Sequence, residues 1–292
     1  MDKTTAKMKK CAIYSAIVGG YDEILQPVFV DNRFDFILFT NEISVPQVGI
    51  WKIRKIEYHN SDNTRICRYV KTHPETLLAE YDSSVWIDSN IQIRTNYLYD
   101  TICKMEDSST LISSMWHPTR DCIFDEAFAI MNMQLEHERT VVKWCHQLRR
   151  EKYPRHNGLY ETNVLYRKHN SRIIQEMDTL WWQCIERNSR RDQLSINYVL
   201  WKKNIPCTYL FGEGFNARNT DSLCVIQHKD IKHNHCPIDK NEAWLMRHCW
   251  KDKKETNRVA SIYYHLYAAP FPFLGISLAG LYFRIVDHFR YQ

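Results

Sequence analysis

An α/β domain with a mostly parallel central sheet flanked by helices is what this sequence predicts, and three observations carry that expectation. Short apolar runs rich in β-branched and aromatic residues alternate with longer stretches of helical periodicity, the order that βαβ units impose. Two of those runs stop at residues suited to a ligand-binding rim, one at Gly19-Gly20 and one at Asp88. With 292 residues, 44% hydrophobic and 25% charged, the chain has the length and composition of one large folded domain or two small ones.

Cys11 to Val18 (CAIYSAIV) reads as a strand closed by a glycine turn, and Phe34 to Phe39 (FDFILF) as a second strand ending at Thr40-Asn41. Thr64 to Tyr81 has helical periodicity and sets Arg65, Arg68 and Lys71 at spacings of three, near one face. Ser84 to Ile87 is the third strand and Leu111 to Met115 the fourth. Asp125 to Arg150 reads as one long helix and Asp192 to Lys202 as another. From Ala260 to Tyr291 the chain is dense in Tyr, Phe, Leu and Ile. Its longest uncharged stretch, Ala268 to Phe283, holds Pro270 and Pro272, which argues against a spanning helix. Leu278 to Tyr291 has the pattern of an amphipathic helix. It suits a membrane interface, or packing on its own domain or a second subunit.

A net charge of +5 favours anionic ligands such as phosphates or acidic head groups. No compact Lys/Arg run with interleaved aromatics is present, so nucleic acid is not an expected partner. The ten cysteines are scattered without a C-x-x-C pair, and the polar, basic segment Met1 to Lys10 leads directly into a strand. Free thiols in a reducing cytoplasm are the expected state. The Cys/His-rich stretch around His228, His233, His235, Cys236, His248 and Cys249 lacks zinc-finger spacing.

The chemistry concentrates at Val85-Trp86-Ile87-Asp88-Ser89-Asn90. A buried strand ending in Asp-x-Asn delivers two oxygen ligands to the sheet rim, where open α/β sheets bind ligands. Hard oxygen donors there suit Mg²⁺ or Mn²⁺ carrying a diphosphate, although the same residues are also ordinary turn formers. Arg65, Arg68 and Lys71 would meet phosphate oxygens, or would form a solvated helix face. Asp192 stands at a helix start, where the dipole favours its anion; an N-cap is its ordinary role there. Trp181 and Trp182, with Asp178 upstream, offer either core packing or a stacking platform for a sugar. His117 and Arg120 form a charged run after a buried strand, with little use in packing.

Taken as an ordered series, these pieces resemble a GT-A nucleotide-sugar glycosyltransferase. More narrowly they resemble the hexosyltransferase-like family shared by bacterial polysaccharide enzymes and plant mucilage-related proteins. The residues that carry the resemblance are Tyr14 to Asp22, Arg65/Arg68/Lys71 before Trp86-Ile87-Asp88, and His117-Pro118-Thr119-Arg120. Leu159 to Asn163, Arg167-Lys168-His169 and Arg191-Asp192-Gln193-Leu194-Ser195 complete the series, which spans about residues 11 to 235. With the tail's own pattern, this divides the chain into residues 1–255 as a GT-A-like domain, as the resemblance implies, and 256–292 as an apolar, aromatic helical tail for membrane or partner contact.

It also implies roles. Gly19, Tyr21, Asp22, Thr40, Asn41, Arg65, Arg68, Lys71 and Lys229 would bind the donor nucleotide. Asp88, Asn90 and His228 would hold a divalent cation, Mn²⁺ or Mg²⁺. Asp192, Gln193, Arg191 and His117 would serve catalysis, Asp192 as ligand of donor hydroxyls or as general base. Arg120, Asp178 and Trp181 would meet the acceptor. The usual second Asp of the metal motif is Asn90 here, a weaker ligand, which shifts charge neutralisation toward Arg68, Lys71 and Lys229. The implied activity is transfer of a hexose from a nucleotide-sugar, a UDP-sugar first, to a glycan or lipid-linked acceptor in surface polysaccharide synthesis. It would take place in the cytoplasm, at the inner membrane face if the tail lies in the interface. Asn90 keeps a second reading open, a catalytically silent sugar-nucleotide or glycan-binding module. A lipid hydrolase is disfavoured because no G-x-S-x-G elbow is present.

Overall fold

The computed structural model describes residues 11–229; the expected tail and the 255/256 boundary lie outside them. Two compact units make up the described part, residues 11–121 with 158–229, and residues 122–157 between them in sequence.

The larger unit is an eight-stranded sheet covered by helices. Its strands are β1 (Cys11–Ala16), β2 (Phe34–Phe39), β3 (Gln47–Val48), β4 (Trp51–Arg54), β5 (Ser83–Ile87), β7 (Ile112–Trp116), β8 (Tyr160–Arg167) and β9 (Thr208–Tyr209). They lie in the order β3-β4-β2-β1-β5-β8-β7-β9. β4, β2, β1 and β5 run parallel, and every residue of β1 and β5 is buried, as expected of strands covered on both faces. β8 runs antiparallel to both β5 and β7, and β3 antiparallel to β4. β6 (Ile91–Ile93) pairs instead with β10 (Leu223–Val225) in a separate antiparallel ribbon.

Side chains alternate across the central strands. Ile13, Val85 and Ile87 join one apolar core with Phe36, Leu38 and the helix α3 (Tyr97–Glu106) residues Leu98, Tyr99 and Ile102. The other face is polar at its centre. Tyr14 donates its hydroxyl to the Lys71 carbonyl at 2.9 Å, and Arg167 pairs with Asp178 at 2.5 Å, both residues fully buried. Burial alone would lower the Arg167 pKa; the Asp178 carboxylate and the Tyr14 phenol outweigh it and keep the guanidinium charged.

Two expected helices are divided. The segment from residue 64 to 81 holds α1 (Asn63–Thr72) and the short α2 (Pro74–Leu77), separated at His73. Pro74 disfavours helical backbone in the residue before it and supplies no N–H to continue α1. Residues 125–150 form α4 (Ile123–Asn132) and α5 (Glu138–Arg150), which make up the second unit. Gln134 takes a left-handed conformation at φ 57°, and Leu135 N–H bonds back to the Ile130 carbonyl, closing α4 without a Gly or Pro. Further on lie α6 (Arg172–Arg187) and α7 (Gln193–Lys203). No described helix is long and apolar enough to cross a membrane. The cysteines at 11, 67, 103, 122, 145, 184, 207 and 224 are free.

Candidate functional site

The sheet itself points to the site. From β1 the chain builds outward on one side through β2 and β4, then crosses to the other side at β5, so strand order switches between β1 and β5. Ligands of open α/β sheets bind in the crevice beyond the carboxyl ends of the strands at such a switch point. Two expected motifs meet there, the turn after β1 and the Asp88-Ser89-Asn90 run after β5.

The turn is held open by backbone geometry. Gly19 and Gly20 have φ of 71° and 64°, a region that costs other residues strain. A Cβ on Gly19 would lie 2.2 Å from Asn63 Nδ2, whereas one on Gly20 would meet nothing. Glu42 accepts the Gly19 N–H at 2.5 Å and the Thr40 hydroxyl at 2.6 Å, tying the ends of β1 and β2 together. Thr40 is fully buried, and Asn41 uses both ends of its amide on the backbone of Ile56. Both side chains build the loop; Thr40 is enclosed by it, whereas Asn41 stays exposed at the rim. Glu42 carries no signal in the sequence, because no spacing links it to a glycine 23 residues earlier.

Asp88 sits where β5 ends. Its N–H bonds to the Asn163 carbonyl at 2.8 Å, and its Oδ1 accepts Trp86 Nε1 at 2.6 Å and lies 3.7 Å from Lys71 Nζ. No described residue donates to Oδ2. Behind it is a buried cluster of charge. Lys71, fully buried, reaches Asp192 at 2.6 Å; Arg68 Nε lies 2.9 Å from the other Asp192 oxygen, and the Thr162 hydroxyl donates to Oδ2 at 2.8 Å. The Lys71 ammonium also lies 5.3 Å from the Trp86 ring centre and 5.9 Å from that of Trp181. Burial would raise the Asp192 pKa; Arg68, Lys71 and Arg191 outweigh it and hold the carboxyl well below the usual range. Asp192 makes no side-chain cap bond to α7, so the expected N-cap role is not the one it plays. A carboxylate gripped by two cations also accepts protons poorly, which disfavours the general-base role.

The basic ladder splits. Successive steps of three drift by about 60° on a helix of 3.6 residues per turn, so Arg65 and Lys71 cannot share a target. Arg65 turns to the end of α6, donating to the carbonyls of Ile185, Glu186 (3.0 Å) and Asn188 (3.0 Å). It caps a helix and does not reach the rim. Asp178 and Trp181 are corrections of the same kind. Both are fully buried, Asp178 against Arg167 and Trp181 with its Nε1 on the Asp192 carbonyl at 3.1 Å, so neither meets an acceptor.

The expected metal ligands are arranged differently from the expectation. His228 Nδ1 lies 2.9 Å from Asp22 Oδ1, its ring is 4.6 Å from that of Tyr21, and Ser89 donates to Asp22 Oδ2. Asp22 therefore joins the Asp88-Ser89-Asn90 run to His228, a link across 206 residues that spacing could not reveal. Asn90 donates its Nδ2 to the Ile226 carbonyl at 3.0 Å, while Ile226 N–H bonds to the Asn90 carbonyl at 2.8 Å. An amide is needed for that pairing. Asp22, Asp88 and His228 do not close on one point. Among the described residues, the only three His, Cys, Asp or Glu ligand atoms within 4.8 Å of one another belong to Cys122, Asp125 and His156.

Of the remaining candidates, His117 is buried and its Nδ1 accepts from the N–H groups of Thr119 and Arg120 at 3.3 and 3.0 Å, shaping the turn after β7. Arg191 N–H bonds to Ser189 Oγ at 3.0 Å. Gln193 opens α7 with its Nε2 buried and without a hydrogen bond from the described residues, as is Asn163 Oδ1 beside Thr162. Lys229 pairs at 3.4 Å with Glu23 on the surface.

The family TOD1/MUCI70, glycosyltransferase-like domain, matches residues 1–212. The chain belongs to it. That match agrees with the family expected from the motif series and gives the chain a glycosyltransferase-like domain. Among solved structures, the apo form of the bifunctional glycosyltransferase WbbM is similar at 10% identity and a TM-score of 0.41. The alignment covers 72% of this chain and 40% of that one. No curated protein matches the chain.

Proposed function

We propose that this TOD1/MUCI70 domain transfers a hexose from a nucleotide-sugar, a UDP-sugar first, to a glycan or lipid-linked acceptor in surface polysaccharide synthesis. The observation that carries the reading is the rim at the switch point: a side-chain-free turn at Gly19-Gly20 and the Asp88 carboxylate, with Lys71 3.7 Å behind it. The bare turn lets a nucleotide approach the backbone. Asp88 Oδ2, without a described donor, would accept a donor hydroxyl. Gln193 Nε2 and Asn163 Oδ1 are orphaned polar atoms of the kind a ligand satisfies, and a sugar hydroxyl both donates and accepts. Asp192 acts through Lys71 and Arg68, fixing two cations whose field offsets charge on a departing diphosphate; it is a positioning residue in this scheme.

A divalent cation fits the rim only in part. Asp88 and Asp22 are suitable oxygen donors and His228 a suitable nitrogen donor, but they do not form one ligand set as placed, and no step is routed through an ion. The tail beyond residue 255, by its sequence, would contact a membrane or a partner at the cytoplasmic face.

Thermal-shift and calorimetric titration with UDP-, GDP- and CMP-sugars, with Mn²⁺ and with EDTA, test the reading. One UDP-sugar should bind wild type, and transfer to a glycan acceptor should disappear in Asp88→Ala. Saturable binding without hydrolysis or transfer would favour the silent binding module instead. An Asp88→Ala protein with full turnover would remove the rim from the chemistry.

A further inference from the structure

The two-helix unit, residues 122–157, carries a grouping that the donor rim does not use. Cys122 stands at the N-cap of α4 and Asp125 lies in its first turn, so the C-x-x-D spacing puts a thiol and a carboxylate on one helical turn. His156 follows α5, in a left-handed conformation at φ 51°, a region in which histidine is one of the few non-glycine residues enriched. One ligand atom from each residue lies within 4.8 Å of the other two. Cys122 is buried, Asp125 half-buried and His156 exposed, so the group opens on one side.

We propose that Cys122, Asp125 and His156 bind a zinc ion. The donor set is one sulfur, one nitrogen and one oxygen. Thiolate and imidazole select zinc over the Mg²⁺ and Mn²⁺ that all-oxygen sites prefer. Zinc bonds of about 2.0–2.3 Å in a tetrahedron place ligand atoms roughly 3.3–3.8 Å apart, so side-chain adjustments of about 1 Å close the set. The thiol loses its proton to solvent on binding, and thiolate plus carboxylate balance the charge of the ion. Three protein ligands leave the fourth position, on the exposed side, to water. The ion would tie the start of α4 to the chain leaving α5. Small units with little core gain most from such a staple.

The test uses the full chain, stripped with chelator and titrated with Co²⁺, then Zn²⁺. One equivalent of cobalt should give a thiolate-to-cobalt charge-transfer band and tetrahedral visible bands, both bleached by zinc. Cys122→Ser should abolish the charge-transfer band, and Asp125→Asn or His156→Ala should weaken cobalt binding about tenfold or more. Cys145→Ser and Asp88→Ala should leave the spectrum unchanged, which separates this site from the donor rim. Should Cys122→Ser not fold, thiol alkylation of the wild-type chain decides: zinc must slow labelling of Cys122 and Mg²⁺ must not. Absence of a cobalt band in wild type, a band that survives in Cys122→Ser, or unprotected Cys122 overturns the proposal.

Discussion

Replacing Asp192 with Asn keeps the shape of the side chain and removes its charge, with consequences set by the two cations that hold it. Lys71 at 2.6 Å and Arg68 at 2.9 Å lose their counter-ion while remaining in a buried setting. Removing one partner of a buried pair costs about 3–5 kcal/mol, because the remaining charge is left uncompensated. At about 2–4 °C per kcal/mol for a domain of this size, the melting temperature should fall by roughly 6–20 °C. The same charge sets a pH signature. The folded pKa of Asp192 is lowered, so its stabilisation is full above the unfolded carboxylate value near 4 and is lost as pH falls toward the folded value. Urea titrations from pH 7 to pH 3 should therefore show a constant gap between wild type and Asp192→Asn down to about pH 5, narrowing below pH 4. Adding Lys71→Met to the variant should recover about 1–3 kcal/mol through the coupling of neighbouring sites. A single variant within about 0.5 kcal/mol of wild type at pH 7, with no narrowing in acid, would refute the reasoning.

The other predictions concern single contacts. Asn90→Asp replaces the donor to the Ile226 carbonyl with a carboxylate, so hydrogen exchange at Ile226 should speed up rather than metal response improve. Gly19→Ala should lose donor affinity and about 1–2 kcal/mol or more of stability, since it adds a contact with Asn63 to the strain of a positive φ, whereas Gly20→Ala should show the strain alone. Arg65→Met should cost about 2 kcal/mol through lost bonds to the α6 carbonyls and leave UDP-sugar affinity unchanged. His169, buried between Ser84 and Leu78, has its pKa pushed down to about 4, by burial first and then by Arg167. Stability should thus fall between about pH 6.5 and pH 4, by on the order of 3 kcal/mol, and His169→Gln should flatten that slope.

Much of the frame was legible in the chain. Apolar runs bounded by Gly19-Gly20, Thr40 and Asp88 mark β1, β2 and β5, because a strand buried on both faces must be continuously apolar and must stop where polar groups begin. The same runs located the rim. β8 carries no clear strand signal, since Glu161, Thr162 and Asn163 interrupt its apolar pattern; only the packed sheet shows why, with Thr162 on Asp192 and Glu161 on Arg218. The break at Gln134 left no mark of Gly or Pro for a sequence reading to find.

By itself the sequence determined which residues end the strands, where the rim lies and which family the motif series belongs to, because these depend on local pattern and near-neighbour spacing. The tertiary structure alone decided what each polar side chain touches. Arg65, Arg68 and Lys71 look equivalent along the helix, yet one caps α6 and two surround Asp192. Asp178 and Trp181 read along the chain as either core or sugar platform and are buried, and Asp22 meets His228 across 206 residues. Partners of this kind are set by strand order and helix packing, and a charge keeps no record in the sequence of the distant group that neutralises it.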